Sequence, residues 1–94
     1  MGKNEDRAVP GVDAIREWMV SKIVGVLSIH PGEIDTKKPF AQYGLDSLVG
    51  ITLAAELESW LKVKLPETLL WDYPTIDLLA NHLSDLLQAE NQGK

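Results

Sequence analysis

The chain has 94 residues, enough for one small domain. Apolar residues make up 45% of it and cysteine is absent, so a modest aliphatic core is expected, with neither a disulfide framework nor a thiolate metal site. A formal charge of −5 disfavours nucleic acid, and the apolar runs fall far short of the ~20 residues that a membrane span needs.

Residues 1–11 are mostly polar, end in Pro10-Gly11, and read as a flexible N-terminal linker. Met1 to Arg7 is charged with no apolar stretch behind it, unlike a secretory signal, and the lack of cysteine fits a reducing, cytoplasmic setting. From Val12 to Leu27, apolar residues recur at helical spacing (Val12, Ile15, Met19, Ile23, Val26, Leu27) and predict a first helix. Pro31 disfavours helical geometry at His30 and ends it. A loop from about Ile29 to Asp46 follows, long for a compact domain. Ile34, Phe40 and Leu45 are expected to pin it to the core, with a short turn around Pro39 to Tyr43.

A second helix is predicted from Ser47 to about Leu61, with Asp46 as N-cap and its charge at the positive end of the helix dipole. Leu53, Leu57, Trp60 and Leu61 mark its stripe, and Leu48 and Ile51 extend the apolar surface a turn earlier. Gly50 costs this helix up to ~1 kcal/mol relative to alanine. Lys62 to Pro66 breaks it, and a short third helix is expected from Glu67 to about Asp72. Thr75 caps a last helix to about Leu87, with Ile76, Leu79, Ala80, Leu83 and Leu86 inward and Asp77 in the first turn. Ala89 to Lys94 reads as a flexible polar tail. The expected fold class is all-α: a small four-helix bundle over residues 12–88, with three main helices, one short helix and a long first loop.

Ser47 is the residue that chemistry must explain. It stands where a loop gives way to an amphipathic helix, so its hydroxyl is expected to be exposed. As a nucleophile it is poorly supported: its flanks are Asp46 and Leu48 rather than the Gly-x-Ser-x-Gly elbow, and the two histidines, His30 and His82, stand before a proline and on the last helix. The glycines are scattered and none precedes a Lys-Ser or Lys-Thr pair, so no phosphate-binding loop is present. No catalytic residue and no metal ligand is assigned.

Gly44-Leu45-Asp46-Ser47-Leu48, at the head of a helix after a long loop, resembles the attachment motif of acyl carrier proteins. Phe40 to Leu48 resembles that family's approach to the serine. Leu65 to Ile76, with Trp71-Asp72-Tyr73-Pro74-Thr75 inside it, resembles a segment of carrier domains in modular polyketide synthases, and Leu79-Ala80-Asn81-His82-Leu83 fits as well. The resemblance implies that Ser47 carries covalent 4′-phosphopantetheine, whose thiol holds acyl groups as thioesters. It implies a non-catalytic domain, expected to be monomeric, that meets a phosphopantetheinyl transferase with coenzyme A, a ketosynthase, an acyltransferase or acyl-loading ligase, and other synthase domains.

It also implies roles for neighbours of Ser47. Asp46 is a cap, a charge shown to partners, or both. Leu48 and Val49 touch partners or the pantetheine arm, or else belong to the core. Glu56, Glu58 and Asp72 are candidates for docking basic partners, or simply solvated faces. Trp60 is either a mark of a specialised carrier that meets particular partners, or a cap on the hydrophobic end of the bundle. Thr52 stands where many polyketide carriers have glutamate, which weakens the acidic face of this helix. Two alternatives remain: a peptidyl carrier of a nonribosomal peptide synthetase, and an unmodified helical interaction module.

Overall fold

A computed structural model of the chain describes residues 10–92. The linker assigned to residues 1–11 and the end of the tail, Gly93-Lys94, lie almost wholly outside them. Helix α1 spans Val12–Leu27, as its apolar spacing predicts. Gly11 precedes it in extended geometry, and its carbonyl accepts from the Ile15 N–H at 3.0 Å. Ile15, Met19 and Ile23 are fully buried on one face. Ser28 takes a left-handed backbone (φ 57°) and returns its N–H to the Val24 carbonyl at 2.8 Å, which closes the last turn.

The long first loop has more structure than its composition suggests. A 3-10 turn at Pro31–Glu33 stands where the composition reads only as loop; Pro31 supplies preset φ at its first position. The turn expected around Pro39 to Tyr43 is a second 3-10 segment, Phe40–Tyr43. Phe40 is buried, and its N–H donates to the Pro74 carbonyl at 2.8 Å. The Tyr43 hydroxyl donates to the Asp35 carbonyl at 2.6 Å and accepts from the Asp35 N–H at 2.7 Å. Ile34 and Leu45 pack half-buried against the core, so all three predicted pins engage.

Helix α2 spans Ser47–Leu61 and buries Gly50, Leu53, Ala54, Leu57 and Leu61. Here the sequence-derived stripe needs correction: Leu48 is 71% exposed, and Ile51 and Trp60 are also exposed. Apolar residues occur around most of this helix, so periodicity does not single out the inward side, and the neighbouring helices do.

Helix α3 is Leu69–Asp72 and begins after Glu67, because Thr68 is non-helical and residues 66–69 close a turn through the Leu69 N–H and the Pro66 carbonyl at 3.1 Å. Helix α4 spans Ile76–Gln92. Thr75 caps it as predicted, its Oγ1 accepting from the Leu78 N–H at 3.1 Å. Ile76, Leu79, Ala80 and Leu83 are buried, but the next inward residue is Leu87 rather than the half-buried Leu86, four positions after Leu83. The helix runs on through residues assigned to the tail, since the first breaker after Leu87 is Gly93.

The described residues thus form an all-helical bundle of four α-helices. Helix α1 packs chiefly on α4 and α2 on α3. Helices α1 and α2 approach each other less closely and are bridged by long side chains: Trp18 stacks on Trp60 with ring centroids 5.3 Å apart, and Lys22 Nζ lies 2.8 Å from Glu56 Oε1. Asp77 ties three elements together. Arg16 of α1 donates to its Oδ1 at 3.1 Å, Lys37 of the loop donates to its Oδ2 at 3.3 Å, and its N–H donates to the Thr36 carbonyl at 3.0 Å. No helix among the described residues is long and apolar enough to cross a membrane.

Candidate functional site

Ser47 is the first residue of α2, and it is exposed. The backbone around it is held from both sides. Gly44 turns the chain with φ 82°, a left-handed geometry that favours glycine, and donates its N–H to the Ala41 carbonyl at 3.1 Å. Asp46 is extended (φ −96°, ψ −179°), and its Oδ1 accepts from the Val49 N–H at 3.0 Å while its carbonyl accepts from the Gly50 N–H at 3.0 Å. The cap role predicted for Asp46 is therefore realised. The result is a free hydroxyl on a braced backbone, at the positive end of a helix dipole.

The neighbours divide by environment. Leu48 stands out in solvent, while Val49 packs half-buried against the core. Thr52 Oγ1 donates back to the Leu48 carbonyl at 2.9 Å. Glu56 lies against Lys22 at 2.8 Å, off hydrogen-bond angle but close enough to pair the charges. Glu58 Oε2 accepts from the Leu65 N–H at 2.9 Å and so anchors the chain that leaves α2. Asp72 Oδ2 accepts from Thr68 Oγ1 at 3.1 Å on the exposed side of α3. Trp60 gives one ring face to Trp18 at the end of α2 remote from Ser47, as a hydrophobic cap would. His82 lies flat on Tyr73, with centroids 3.9 Å apart.

Sequence reasoning missed two features beside Ser47. The half-exposed Trp71 indole covers Gly50, closing a small apolar recess lined by Pro39, Phe40, Leu45, Asp46 and Leu70. A glycine inside a helix is a signal of close approach, and Gly50 carried that signal. On the other flank of α2, Val26 of α1 is 48% exposed and faces Leu48 across a cleft.

A small helical bundle that presents one exposed serine at a capped helix start, on a rigid frame, has the form of a carrier domain. Residues 17–83 match the family model described as "Phosphopantetheine attachment site", and the chain belongs to that family. Over 70 residues it is 41% identical to mellein synthase of Phaeosphaeria nodorum, an alignment that takes in 74% of this chain and 4% of that protein. Among solved structures, a free-standing peptidyl carrier protein of Acinetobacter baumannii superposes with a TM-score of 0.78 at 36% identity, covering 83% of this chain and 98% of that one. An acyl carrier protein of Anabaena sp. with a variant phosphopantetheinylation site superposes with a TM-score of 0.77 at 33% identity, covering 85% and 92%.

Domains of this family carry covalently attached 4′-phosphopantetheine. The chain fits such a group: the Ser47 hydroxyl is open to solvent, and a phosphoryl group bonded to it would lie at the positive end of α2.

Proposed function

We propose that this chain is an acyl carrier domain of a polyketide synthase and that Ser47 is its attachment residue. The observation that carries the assignment is the exposed Ser47 at the capped start of α2, within a chain of the phosphopantetheine attachment family. A phosphopantetheinyl transferase supplies the modification from coenzyme A. Ser47 Oγ attacks the pantetheine-bearing phosphorus, the new O–P bond forms as the pyrophosphate O–P bond breaks, the adenosine bisphosphate leaves, and the serine proton passes to a base of the transferase. The attached group then supplies a thiol for thioester chemistry.

The domain contributes position rather than catalysis. Tethering turns meetings with a ketosynthase, an acyltransferase or an acyl-loading ligase into encounters at high effective concentration. Asp46 holds the helix start, Leu48 and Val49 directly follow the attachment point, and Asp72 presents its charge on the exposed side of α3. A cytoplasmic setting, where coenzyme A is available, fits this reading.

The polyketide assignment draws on the likeness to mellein synthase, of which the chain spans 4%. A peptidyl carrier role is a second reading, favoured by the likeness to the Acinetobacter protein. Purified protein incubated with coenzyme A, magnesium and a broad-specificity transferase should gain one phosphopantetheine by intact mass, and Ser47→Ala should gain none. Acylation of the loaded form by malonyl transfer rather than by an aminoacyl adenylate then separates the two carriers. An unmodified interaction module would leave the wild-type mass unchanged.

A further inference from the structure

We propose that the pole of the bundle remote from Ser47, built from Trp60, Lys62 and Lys64, docks an acidic protein surface with an apolar slot for the Trp60 indole. The contact goes beyond the carrier reading and stands without it, because it uses neither Ser47 nor its modification.

Charge marks the pole. Most basic side chains of the described residues are engaged within the domain. Arg16 pairs with Asp13 and Asp77, Lys37 with Asp77, and Lys22 with Glu56. Lys38 Nζ lies 4.7 Å from the centroid of the Tyr43 ring. Among the described residues, only Lys62 and Lys64 have neither an ion pair nor a ring contact, and both are exposed. In a chain of net charge −5 they are uncommitted positive charge, and a surface of opposite sign complements them.

Shape supports the same pole. Trp60 stands two residues before Lys62, 37% exposed and outside the core cluster. One ring face is stacked on Trp18, which itself packs against the core, so the indole is held in place. A held, part-exposed tryptophan loses little freedom on binding and is the residue type that most often anchors an interface. The turn that carries the lysines is braced as well. The Lys62 N–H donates to the Glu58 carbonyl at 2.9 Å, the Leu65 N–H donates to Glu58 Oε2 at 2.9 Å, and Val63 packs half-buried between them. Lys62 takes φ 62°, the left-handed region that favours glycine at a helix end. Lysine there weakens the cap and places a charge beside Trp60.

Placement defines what the contact does. Trp60 lies thirteen residues beyond Ser47 on the same helix, about 20 Å along its axis. A partner at this pole leaves Ser47 open, so the contact holds the domain rather than acting on it. A lipid surface fits less well. Two lysines and one part-exposed indole make a small anchor, and anionic lipid repels a domain of net charge −5.

The test is a nuclear magnetic resonance titration of the isotope-labelled, unmodified protein with the peptide Glu-Glu-Leu-Phe-Glu-Glu. The Trp60 indole N–H and the Lys62 to Leu65 amides should shift most, with a dissociation constant on the order of 1 mM. Binding should weaken about five-fold or more between about 50 mM and 500 mM NaCl. The peptide Lys-Lys-Leu-Phe-Lys-Lys should leave these signals in place. Lys62→Glu combined with Lys64→Glu should reverse the preference for the two peptides. Trp60→Gln should weaken the acidic peptide about five-fold or more, with circular dichroism confirming the fold. The lysines are exposed, so the charge reversal decides by itself if Trp60→Gln does not fold.

No response at this pole to about 10 mM acidic peptide overturns the proposal. So does a response centred elsewhere, or one that survives charge reversal. Phosphatidylserine vesicles that shift these signals where the peptide does not assign the pole to a membrane and overturn it. Shifts at the same residues that grow with protein concentration alone assign it to a second copy, with the same consequence. The doubly reversed variant should accept phosphopantetheine at the wild-type rate. A slower rate would place the transferase at this pole and overturn the holding role. Failure of the folded wild type to accept phosphopantetheine removes the carrier assignment and leaves the docking pole standing.

Discussion

The Trp71 indole occupies space that exists because residue 50 is glycine. A Cβ at Gly50 would lie 2.9 Å from Trp71 Cη2, too near for ordinary contact. The clashing atom is the far end of a side chain already 51% exposed, so the indole can swing outward. Alanine also favours the helix by about 1 kcal/mol over glycine. Gly50→Ala should therefore leave thermal stability level or slightly raised, while tryptophan emission shifts to longer wavelength as Trp71 enters water. The shift should vanish in a Trp71→Phe background, and a large loss of stability would show that the indole cannot yield.

Asp46 is exposed, yet its carboxylate carries structural weight through the Val49 N–H. Asp46→Ala should lower unfolding stability by about 1 kcal/mol, the usual worth of an N-cap. Asp46→Asn keeps an acceptor and should lose only about a few tenths of that cost. Thermal denaturation of both variants checks the pair. The rate at which folded Asp46→Asn is modified then reports any separate part that the charge plays toward the transferase.

Leu48 and Leu57 are the same residue type on one helix in opposite environments, 71% and 0% exposed. Leu57→Ala should cost about 2–5 kcal/mol, enough to unfold much of a small domain. Leu48→Ala should change stability by less than about 0.5 kcal/mol, as surface substitutions do. Leu79, also fully buried, should behave like Leu57. Urea midpoints decide, and similar values for the two helix positions would contradict the packing of α2.

Burial pushes the Asp77 carboxyl up, but hydrogen bonds to the carboxylate from the Thr36 side chain and from Lys37, with the charges of Lys37 and Arg16, outweigh it and hold the pKa below the ordinary range. A depressed folded-state pKa contributes stability that is complete above the unfolded value, about 3.9, and is lost as pH falls through the folded value beneath it. The stability gap between wild type and Asp77→Asn should be constant above about pH 5 and shrink below about pH 4. Since Lys37 is 82% exposed, added salt should reduce that gap. A gap that grew on acidification would contradict the junction.

The boundaries of α1 and α2 were legible because each is marked by local chemistry, Pro31 beyond the first and Asp46 before the second. Thr75 was legible for the same reason. The exposure of Trp60, Ile51 and Leu48 was not, since nothing in an apolar helix says which neighbour it will meet. Periodicity pointed to Leu86, whereas the wheel of a longer α4 turns Leu87 inward. Cross-helix pairing was equally hidden. Glu56 reads as a free carboxylate until Lys22, far away in sequence, lies against it. At the site itself, the serine, its cap and its exposure were all readable, but Trp71 over Gly50 and Val26 across from Leu48 required the packed bundle.

The central claim is that Ser47 holds the phosphopantetheine. Proteolysis of the transferase-treated protein, followed by fragmentation of the peptide that contains Asp46-Ser47-Leu48, tests it most directly. The account predicts one phosphopantetheine on that peptide, with the ejected pantetheine fragment arising from Ser47 and no modification on peptides that carry Ser28, Ser59 or Ser84. Modification at another residue, or an unmodified Ser47 peptide from folded protein and an active transferase, would contradict it.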